Sequence, residues 1–148
     1  MTGSVFVDTN VLIYARDRRN EAKRERARAW LRALGEAGLG VINLQSLNEL
    51  TRWILANEGR RNLEDVREEI DALRPWGDKP VDDEEVSLAW DIRARFGFQW
   101  FDCLLMAAAV RAECRYFLTE DMTEGATFGP VTLIEPFHTA PGDILFKD

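Results

Sequence analysis

Short apolar segments alternate along this chain with longer segments of helical periodicity, and this alternation restricts the possible folds more than any other feature. The sequence predicts strands at residues 5–7, 39–44, 116–119 and 131–134. Strands that are hydrophobic throughout are typical of parallel sheets, because the helices that connect parallel strands cover both faces. We therefore expect an α/β fold, a three-layer α/β/α sandwich around a central, mainly parallel sheet.

The intervening segments have the apolar spacing of amphipathic helices. These predicted helices cover residues 11–15, 21–34, 46–56, 63–73, 82–96 and 102–113. The second should turn Ala22, Ala29, Trp30, Ala33 and Leu34 inward and end at Gly35 and Gly38. Apolar helical spacing also places Trp30, Trp53 and Trp90 in the core.

No repeat or linker divides the 148 residues, so we expect one domain over residues 1–148. Residues 138–148 lack periodicity and are predicted to be a C-terminal extension that wraps over the surface. Cys103 and Cys114 have no metal-ligand spacing, and no apolar run reaches the roughly 20 residues of a membrane helix. The N-terminus lacks the basic start of a signal peptide, so the sequence predicts a soluble, cytoplasmic protein.

The net charge of −7 argues against a protein that coats nucleic acid through bulk charge. Basic residues are nevertheless concentrated between Ala15 and Leu34, a segment that contains eight basic residues and three acids. A basic segment so close to Asp8 could guide a phosphate backbone toward that residue. The simpler interpretation is a solvated helix face with ion pairs between neighbouring turns, and charge alone favours it.

Four acids differ from the other acidic residues because apolar neighbours surround them in the sequence: Asp8, Glu49, Asp102 and Asp121. Removing a carboxylate from water without a partner costs several kcal/mol, so such groups usually have an arginine, backbone N–H groups or a cation nearby. Asp8 and Asp121 follow predicted strands, at the edge where open parallel sheets form their sites. The sequence alone does not show that the four converge.

Each of these acids also has a simpler explanation. Asp8 and Asp102 could cap the helices that follow them. Asp121 could belong to a polar turn with Glu120, and Glu49 could pair with Arg52. Four unrelated explanations account for the set less well than one shared site does.

Four segments, in order, resemble PIN-domain proteins, especially the VapC-type toxins of bacterial toxin–antitoxin pairs. These segments are residues 5–14 with Asp8-Thr9-Asn10, 45–50 with Glu49, 100–109 with Asp102, and 117–122 with Asp121. Asp121 is preferred over Glu120 because its spacing from Thr119 fits the family. Two departures leave the acids untouched: Glu135 stands where the family often has asparagine, and residues 138–148 extend past its usual end.

The resemblance implies a metal-dependent endoribonuclease. A carboxylate cluster without histidine or cysteine selects a hard cation, Mg²⁺ or Mn²⁺. Asp8 and Asp102 would be its main ligands, Glu49 and Asp121 would complete the site directly or through water, and Asn10 and Thr119 would orient them. The expected RNA contacts are Arg16, Arg18 and Arg19. The resemblance also implies an antitoxin partner and a homodimer.

Two other functions compete with this hypothesis. One is a catalytically silent PIN scaffold that binds RNA or protein, although the full acidic set argues against it. The other is an aspartate-based phosphotransfer protein with Asp8 as the nucleophile. Asn10 stands where a haloacid-dehalogenase-type phosphatase needs aspartate, and Lys147 is the only lysine after Lys79, which fits a receiver domain poorly.

Overall fold

A computed structural model describes residues 3–120 and 122–145 of the chain. Within these ranges five strands form one sheet in the order β2-β1-β3-β5-β4. The strands are β1 (Val5–Val7), β2 (Gly40–Val41), β3 (Tyr116–Leu118), β4 (Thr127–Phe128) and β5 (Val131–Ile134). Neighbouring strands are parallel except β4 and β5, which pair antiparallel.

Helices cover both faces of this sheet. They are α1 (Thr9–Tyr14), α2 (Glu21–Ala37), α3 (Leu44–Asn57), α4 (Leu63–Asp71), α5 (Asp83–Phe96), α6 (Trp100–Arg111) and α7 (Pro141–Ile144), with a 3₁₀ turn at Arg74–Trp76. Side chains alternate between the faces of a strand, so Val5 and Val7 join the core under α1 to α4, whereas Phe6 joins the core under α5 and α6. The predicted three-layer α/β/α sandwich is confirmed.

The strand predicted at residues 39–44 is much shorter in the structure. Its last residues are taken by a helix start, because the Asn43 side chain accepts a hydrogen bond from the Ser46 backbone N–H at 3.0 Å. The Ser46 hydroxyl lies 3.3 Å from the Asn43 backbone N–H, which completes a capping box ahead of α3. The backbone of Ile42 bonds instead to the Trp76 carbonyl at 3.1 Å.

Gly77 makes this close approach possible. Its φ of 135° lies in a region that side chains rarely adopt. A Cβ atom at this position would lie 2.2 Å from the carbonyl oxygen of Ile42, which is backbone and has little room to move. The loop from the 3₁₀ turn therefore packs against the chain after β2 only because residue 77 is glycine.

Three predictions about α2 and the core were wrong, in whole or in part. The helix passes through Gly35, which was predicted to help end it, whereas the predicted stop at Gly38 is confirmed, because its φ of 68° suits the left-handed cap. Ala22 is exposed, and Ala27 is buried in its place. Trp90 is 64% exposed, although its ring lies 4.8 Å from that of Trp100.

The tail beyond Phe137 packs more firmly than a surface extension would. The Trp30 indole N–H lies 3.0 Å from the carbonyl oxygens of Pro136 and Thr139. Leu145, which follows α7, is buried in the same core as Trp30. Glu135 turns the chain into this tail, because its carboxylate accepts hydrogen bonds from two of the next three backbone N–H groups. Residues 146–148 lie outside the described part.

Both cysteines are buried and unpaired. In the ranges that the structure describes, no helix is long and apolar enough to cross a membrane.

Candidate active site

The site lies at the carboxyl end of β1, where the order of the strands reverses. The chain places β2 on one side of β1 and β3 on the other. In open α/β sheets, this arrangement leaves a crevice between the loops that leave the two central strands. Asp8 follows β1 and Thr119 follows β3, and the Asp8 backbone N–H donates to the Leu118 carbonyl at 3.0 Å.

Asp8 is almost completely buried, with an exposed fraction of 2%. The Thr119 hydroxyl, itself 1% exposed, donates to the Asp8 Oδ2 atom at 2.6 Å. The Asn10 side-chain amide donates to the same oxygen at 3.3 Å. Asp8 occupies the N-cap position of α1, yet its side chain makes no capping hydrogen bond. The carboxylate is thus held by neighbouring side chains, and the capping explanation for Asp8 fails.

A pocket of about 370 Å³, which we call the acidic pocket, opens beside Asp8 and brings together side chains from three helices. Three of the four predicted acids line it, namely Asp8, Glu49 and Asp102. The rest of the lining is Thr9, Asn10, Ile13, Arg52, Trp53, Ala56 and Asn57. The residues therefore come from Asp8 with α1, from one face of α3 and from the start of α6; α1 and α3 lie on one face of the sheet and α6 on the other.

Glu49 lies on the flank of α3, whose apolar residues Leu47, Leu50 and Ile54 are buried. Burial raises the pKa of the Glu49 carboxyl, and hydrogen bonds from Gln45 and Thr9 offset part of this rise. The Thr9 hydroxyl lies 3.4 Å from Glu49 Oε2.

Arg52 lines the same pocket as Glu49. Among the described residues no close ion pair joins Arg52 to Glu49, but the positive charge of Arg52 offsets part of the rise in the Glu49 pKa, so the pairing explanation holds in part.

Asp102 lies in the first turn of α6, which begins earlier than the sequence predicted. The helix starts at Trp100 with Gln99 in the N-cap position, so Asp102 does not cap it. An acid in a first turn is favoured by the positive end of the helix dipole. This position carries a half-buried carboxylate to the edge of the sheet, where it lines the pocket.

The fourth predicted acid, Asp121, lies outside the described residues. Its neighbour Glu120 is engaged elsewhere: its carboxylate accepts a hydrogen bond from the Tyr14 hydroxyl at 2.7 Å and forms an ion pair with Lys23. The hydrogen bond to Glu120 raises the pKa of Tyr14. The Lys23 ammonium lies 4.9 Å from the centre of the Tyr14 ring and 5.0 Å from that of Phe137. Glu120 does not line the acidic pocket.

The ligands available in this pocket are oxygen atoms, since neither histidine nor cysteine lines it. Among residues 3–120 and 122–145, no three acidic, histidine or cysteine side chains lie close enough together to form a ready-made metal shell. The oxygen donors fit Mg²⁺ or Mn²⁺ in kind, because Mg²⁺ usually keeps several waters and takes only one or two carboxylates from the protein.

The predicted RNA contacts Arg16, Arg18 and Arg19 line a second pocket, of about 650 Å³. Two of them are engaged with acids. Arg16 pairs with Glu58 at 2.7 Å, and Arg19 pairs with Asp17 at 2.9 Å. The structure therefore shows part of the ion-paired surface that the charge pattern of the sequence favoured.

Arg52, Trp53 and Asn57 line the acidic pocket from α3, although none of them was predicted to be a site residue. They lie three, four and eight residues after Glu49, which is the spacing of one helix face. Once Glu49 is taken as a site residue, this spacing indicates that all three residues lie on the same helix face as Glu49.

Comparison with known proteins agrees with this architecture. Residues 5–122 match the sequence profile of the PIN domain family. A search of curated proteins finds no match.

Three solved structures share the fold at low sequence identity. A toxin–antitoxin complex from Klebsiella pneumoniae is 17% identical, with a TM-score of 0.60 over 90% of this chain and 98% of that chain. FitAcB from Neisseria gonorrhoeae is 19% identical, with a TM-score of 0.59 over 91% and 99%. VapBC2 from Rickettsia felis, bound to a promoter DNA fragment, is 15% identical, with a TM-score of 0.58 over 88% and 96%. At these identities the structures establish the fold, and the profile match establishes that this chain belongs to the PIN domain family.

Proposed function

We propose that this protein is a divalent-metal-dependent endoribonuclease and the toxin of a toxin–antitoxin pair. The observation that carries the proposal is the meeting of Asp8, Glu49 and Asp102 in one open pocket of a PIN domain. These acids come from three separate elements, and carboxylates that lie close together repel each other. A bound cation and a substrate phosphate would explain why three carboxylates share one pocket, which three independent surface acids would not.

Asp8 and Asp102 would hold Mg²⁺ or Mn²⁺, and Glu49 and Asp121 would complete the site directly or through water. When bound, the ion lowers the pKa of a water molecule and neutralises charge on the phosphate oxygens. The chain's own contribution is orientation: Thr119 and Asn10 hold one oxygen of Asp8, which fixes the direction of the other. Thr9 does the same for Glu49 through a longer contact.

Positive side chains beside the acids would receive the RNA backbone. Arg52 lines the acidic pocket itself, and Arg16, Arg18 and Arg19 line the adjoining one. Phosphate contacts of this kind position the strand and carry little sequence information. Selection of a particular RNA would depend on the surface around both pockets.

The proposed partners follow from the same assignment. The similar solved structures include toxin–antitoxin complexes, which supports an antitoxin that binds this chain and blocks its pocket. A homodimer is supported by large apolar side chains left in solvent, since Trp90 and Phe101 are 64% and 56% exposed. A toxin acting on cellular RNA would work in the cytoplasm.

The test is cleavage of total cellular RNA by the purified protein with Mn²⁺ or Mg²⁺. We expect discrete fragments that disappear with EDTA and in Asp8→Asn. The loss in Asp8→Asn should be on the order of 100-fold or more, because outer-shell changes alone cost about 10–100-fold. Asp91→Asn is the matched control, since this exposed acid of α5 lines neither pocket and should cleave normally.

Folding of each variant is checked by its thermal unfolding. Equal cleavage by Asp8→Asn and the parent protein would refute the assignment of the site. Failure of the folded parent to cleave RNA or bind metal would favour a binding scaffold.

A further inference from the structure

The larger pocket beside the acids is lined by an unusual number of arginines. We call it the arginine pocket and define it by Arg16, Arg18, Arg19, Arg24, Arg28 and Arg61. Trp53 and Asn57 line both this pocket and the acidic one, so the two are separated by a single shared wall on α3. A linear polymer that extends from the acidic pocket across Trp53 would enter the arginine pocket.

The acids of the arginine pocket are already engaged. Glu58 accepts hydrogen bonds from Arg16 and Arg61, each at 2.7 Å, and the bond from Arg16 lowers the pKa of Glu58. Glu69 pairs with the same two arginines, at 3.2 Å from Arg16. These bonds hold two guanidinium groups in fixed positions. The three acids of the lining leave its six arginines in excess, so the pocket keeps a positive charge.

Two arginines on α2 supply two of the three positive charges in excess. Arg24 and Arg28 are four residues apart and so share one face of the helix, where like charges repel. The Arg28 Nε atom donates to the Ala15 carbonyl at 2.9 Å, which fixes the guanidinium and leaves its outer nitrogens available. Within the described residues Arg28 makes no ion pair.

Arg24 carries the more specific indication of a missing ligand. Its side chain is 18% exposed, and its Nε atom is buried without a hydrogen-bond partner among the described residues. It forms an ion pair at 3.2 Å with Glu21, whose side chain is 62% exposed and therefore binds weakly. A buried donor without an acceptor destabilises the folded protein, so the Arg24 guanidinium is incompletely satisfied by the described residues.

We propose that the arginine pocket binds a phosphate group of the RNA strand, one or more nucleotides away from the phosphate at the acids. Guanidinium groups match phosphate oxygens with paired hydrogen bonds, and fixed ones lose little freedom on binding. The strand crosses Trp53, whose ring offers a stacking surface for a base. This inference rests on the proposed nuclease function and adds a second anchor, centred on Arg24 and Arg28, that sets the direction of the strand.

The test measures RNA binding without cleavage. In an Asp8→Asn background, the anisotropy of a fluorescein-labelled single-stranded RNA is followed over a range of salt concentrations. Arg24→Ala/Arg28→Ala should weaken binding by roughly tenfold or more, the loss expected when charge-assisted bonds disappear. The slope of log K against log salt should shrink by about 0.7 for each RNA phosphate that the protein no longer neutralises.

The matched control removes the same charge elsewhere. Arg32→Ala/Arg67→Ala changes two exposed arginines that do not line the pocket, so it should bind RNA as the background protein does. Arg24→Lys/Arg28→Lys keeps both charges and serves if the alanine pair unfolds. It should retain most of the salt slope and still bind less tightly, because lysine lacks the paired donors.

Two outcomes would overturn the proposal. One is that the alanine pair binds RNA with the affinity and salt slope of the control pair. The other is that inorganic phosphate binds the background protein through Arg24 and Arg28 while RNA binding is unaffected by their loss, which would make the pocket a site for free phosphate.

Cleavage by the parent protein keeps this result separate from the nuclease assignment. Weaker RNA binding by the alanine pair, together with a parent that never cleaves, would support the pocket and refute the nuclease. Normal cleavage by the parent, with no effect of the alanine pair on RNA binding, would support the nuclease and refute the phosphate site in the arginine pocket.

Discussion

The hydrogen bond between Thr119 and Asp8 gives the sharpest energetic prediction for this site. Thr119→Val keeps the shape of the side chain and removes the hydroxyl that donates to Asp8 Oδ2 at 2.6 Å. Both residues are almost completely buried, so water does not readily replace the lost donor. A hydrogen bond to a charged group contributes about 1.5–3 kcal/mol, and the short distance places this one within that range.

We therefore expect the free energy of unfolding of the metal-free protein to fall by about 2 kcal/mol in Thr119→Val. For a chain of this size, each kcal/mol corresponds to about 2–4 °C in the melting temperature. Urea and thermal unfolding both measure the change. Thr132→Val on β5 is the matched control, because within the described residues its hydroxyl bonds to no carboxylate.

A double-mutant cycle tests the cause of this loss. In an Asp8→Asn background the hydroxyl faces a neutral amide, and the same substitution should cost only about 0.5–1.5 kcal/mol. The difference between the two backgrounds isolates the interaction with the charge. Equal costs in both backgrounds, or a Thr119→Val cost no larger than that of Thr132→Val, would refute the view that Thr119 holds the Asp8 carboxylate.

Three further predictions concern the frame around the site. Trp30→Phe removes the N–H donor to Pro136 and Thr139 and should cost about 1–3 kcal/mol, with faster proteolysis of the tail. Burial raises the pKa of Glu85, a buried residue of α5, so its charged form opposes folding above that pKa. Glu85→Gln should therefore raise the melting temperature at pH 7. The gain should vanish as the pH falls below the ordinary glutamate pKa. Gly77→Ala should lower the free energy of unfolding by about 1–3 kcal/mol in urea, because its Cβ would strike a backbone carbonyl. Unchanged stability in any of these variants would contradict the packing described for that position.

The fold was largely predictable because its signals are local. The runs before Asp8 and around residues 116–119 and 131–134 are mainly apolar, and this pattern is sufficient to identify buried parallel strands. The strand at residues 39–44 was overpredicted because apolar character does not reveal that Asn43 and Ser46 begin a helix. Trp90 was misplaced because apolar spacing defines a helix face without showing what covers it.

Convergence of the acids could not be read from local patterns. Asp8, Glu49 and Asp102 meet only because the sheet places β2 and β3 on opposite sides of β1 and because α3 and α6 start at the same edge. Nothing near Glu49 or Asp102 in the sequence encodes that order. Selection of these acids rested on their apolar surroundings and on the resemblance to PIN-domain proteins, and their role in catalysis stays a proposal.

Arg24 and Arg28 were hidden for a related reason. Their charges belong to a helix face that resembles a solvated surface in sequence, since neighbouring acids could pair with each of them. Only the tertiary structure shows that Arg24 and Arg28 line one pocket with Arg16 and Arg61, and that Glu58 and Glu69 pair with the latter two.

Calorimetric titration of the purified protein with Mn²⁺ tests most directly whether the acidic pocket holds a cation. We expect that the parent protein binds Mn²⁺, that Asp102→Asn weakens the affinity by roughly tenfold or more, and that Asp91→Asn leaves it unchanged. Absence of Mn²⁺ binding by the folded parent, or equal affinity in Asp102→Asn, would contradict the claim that acids from separate elements share one cation.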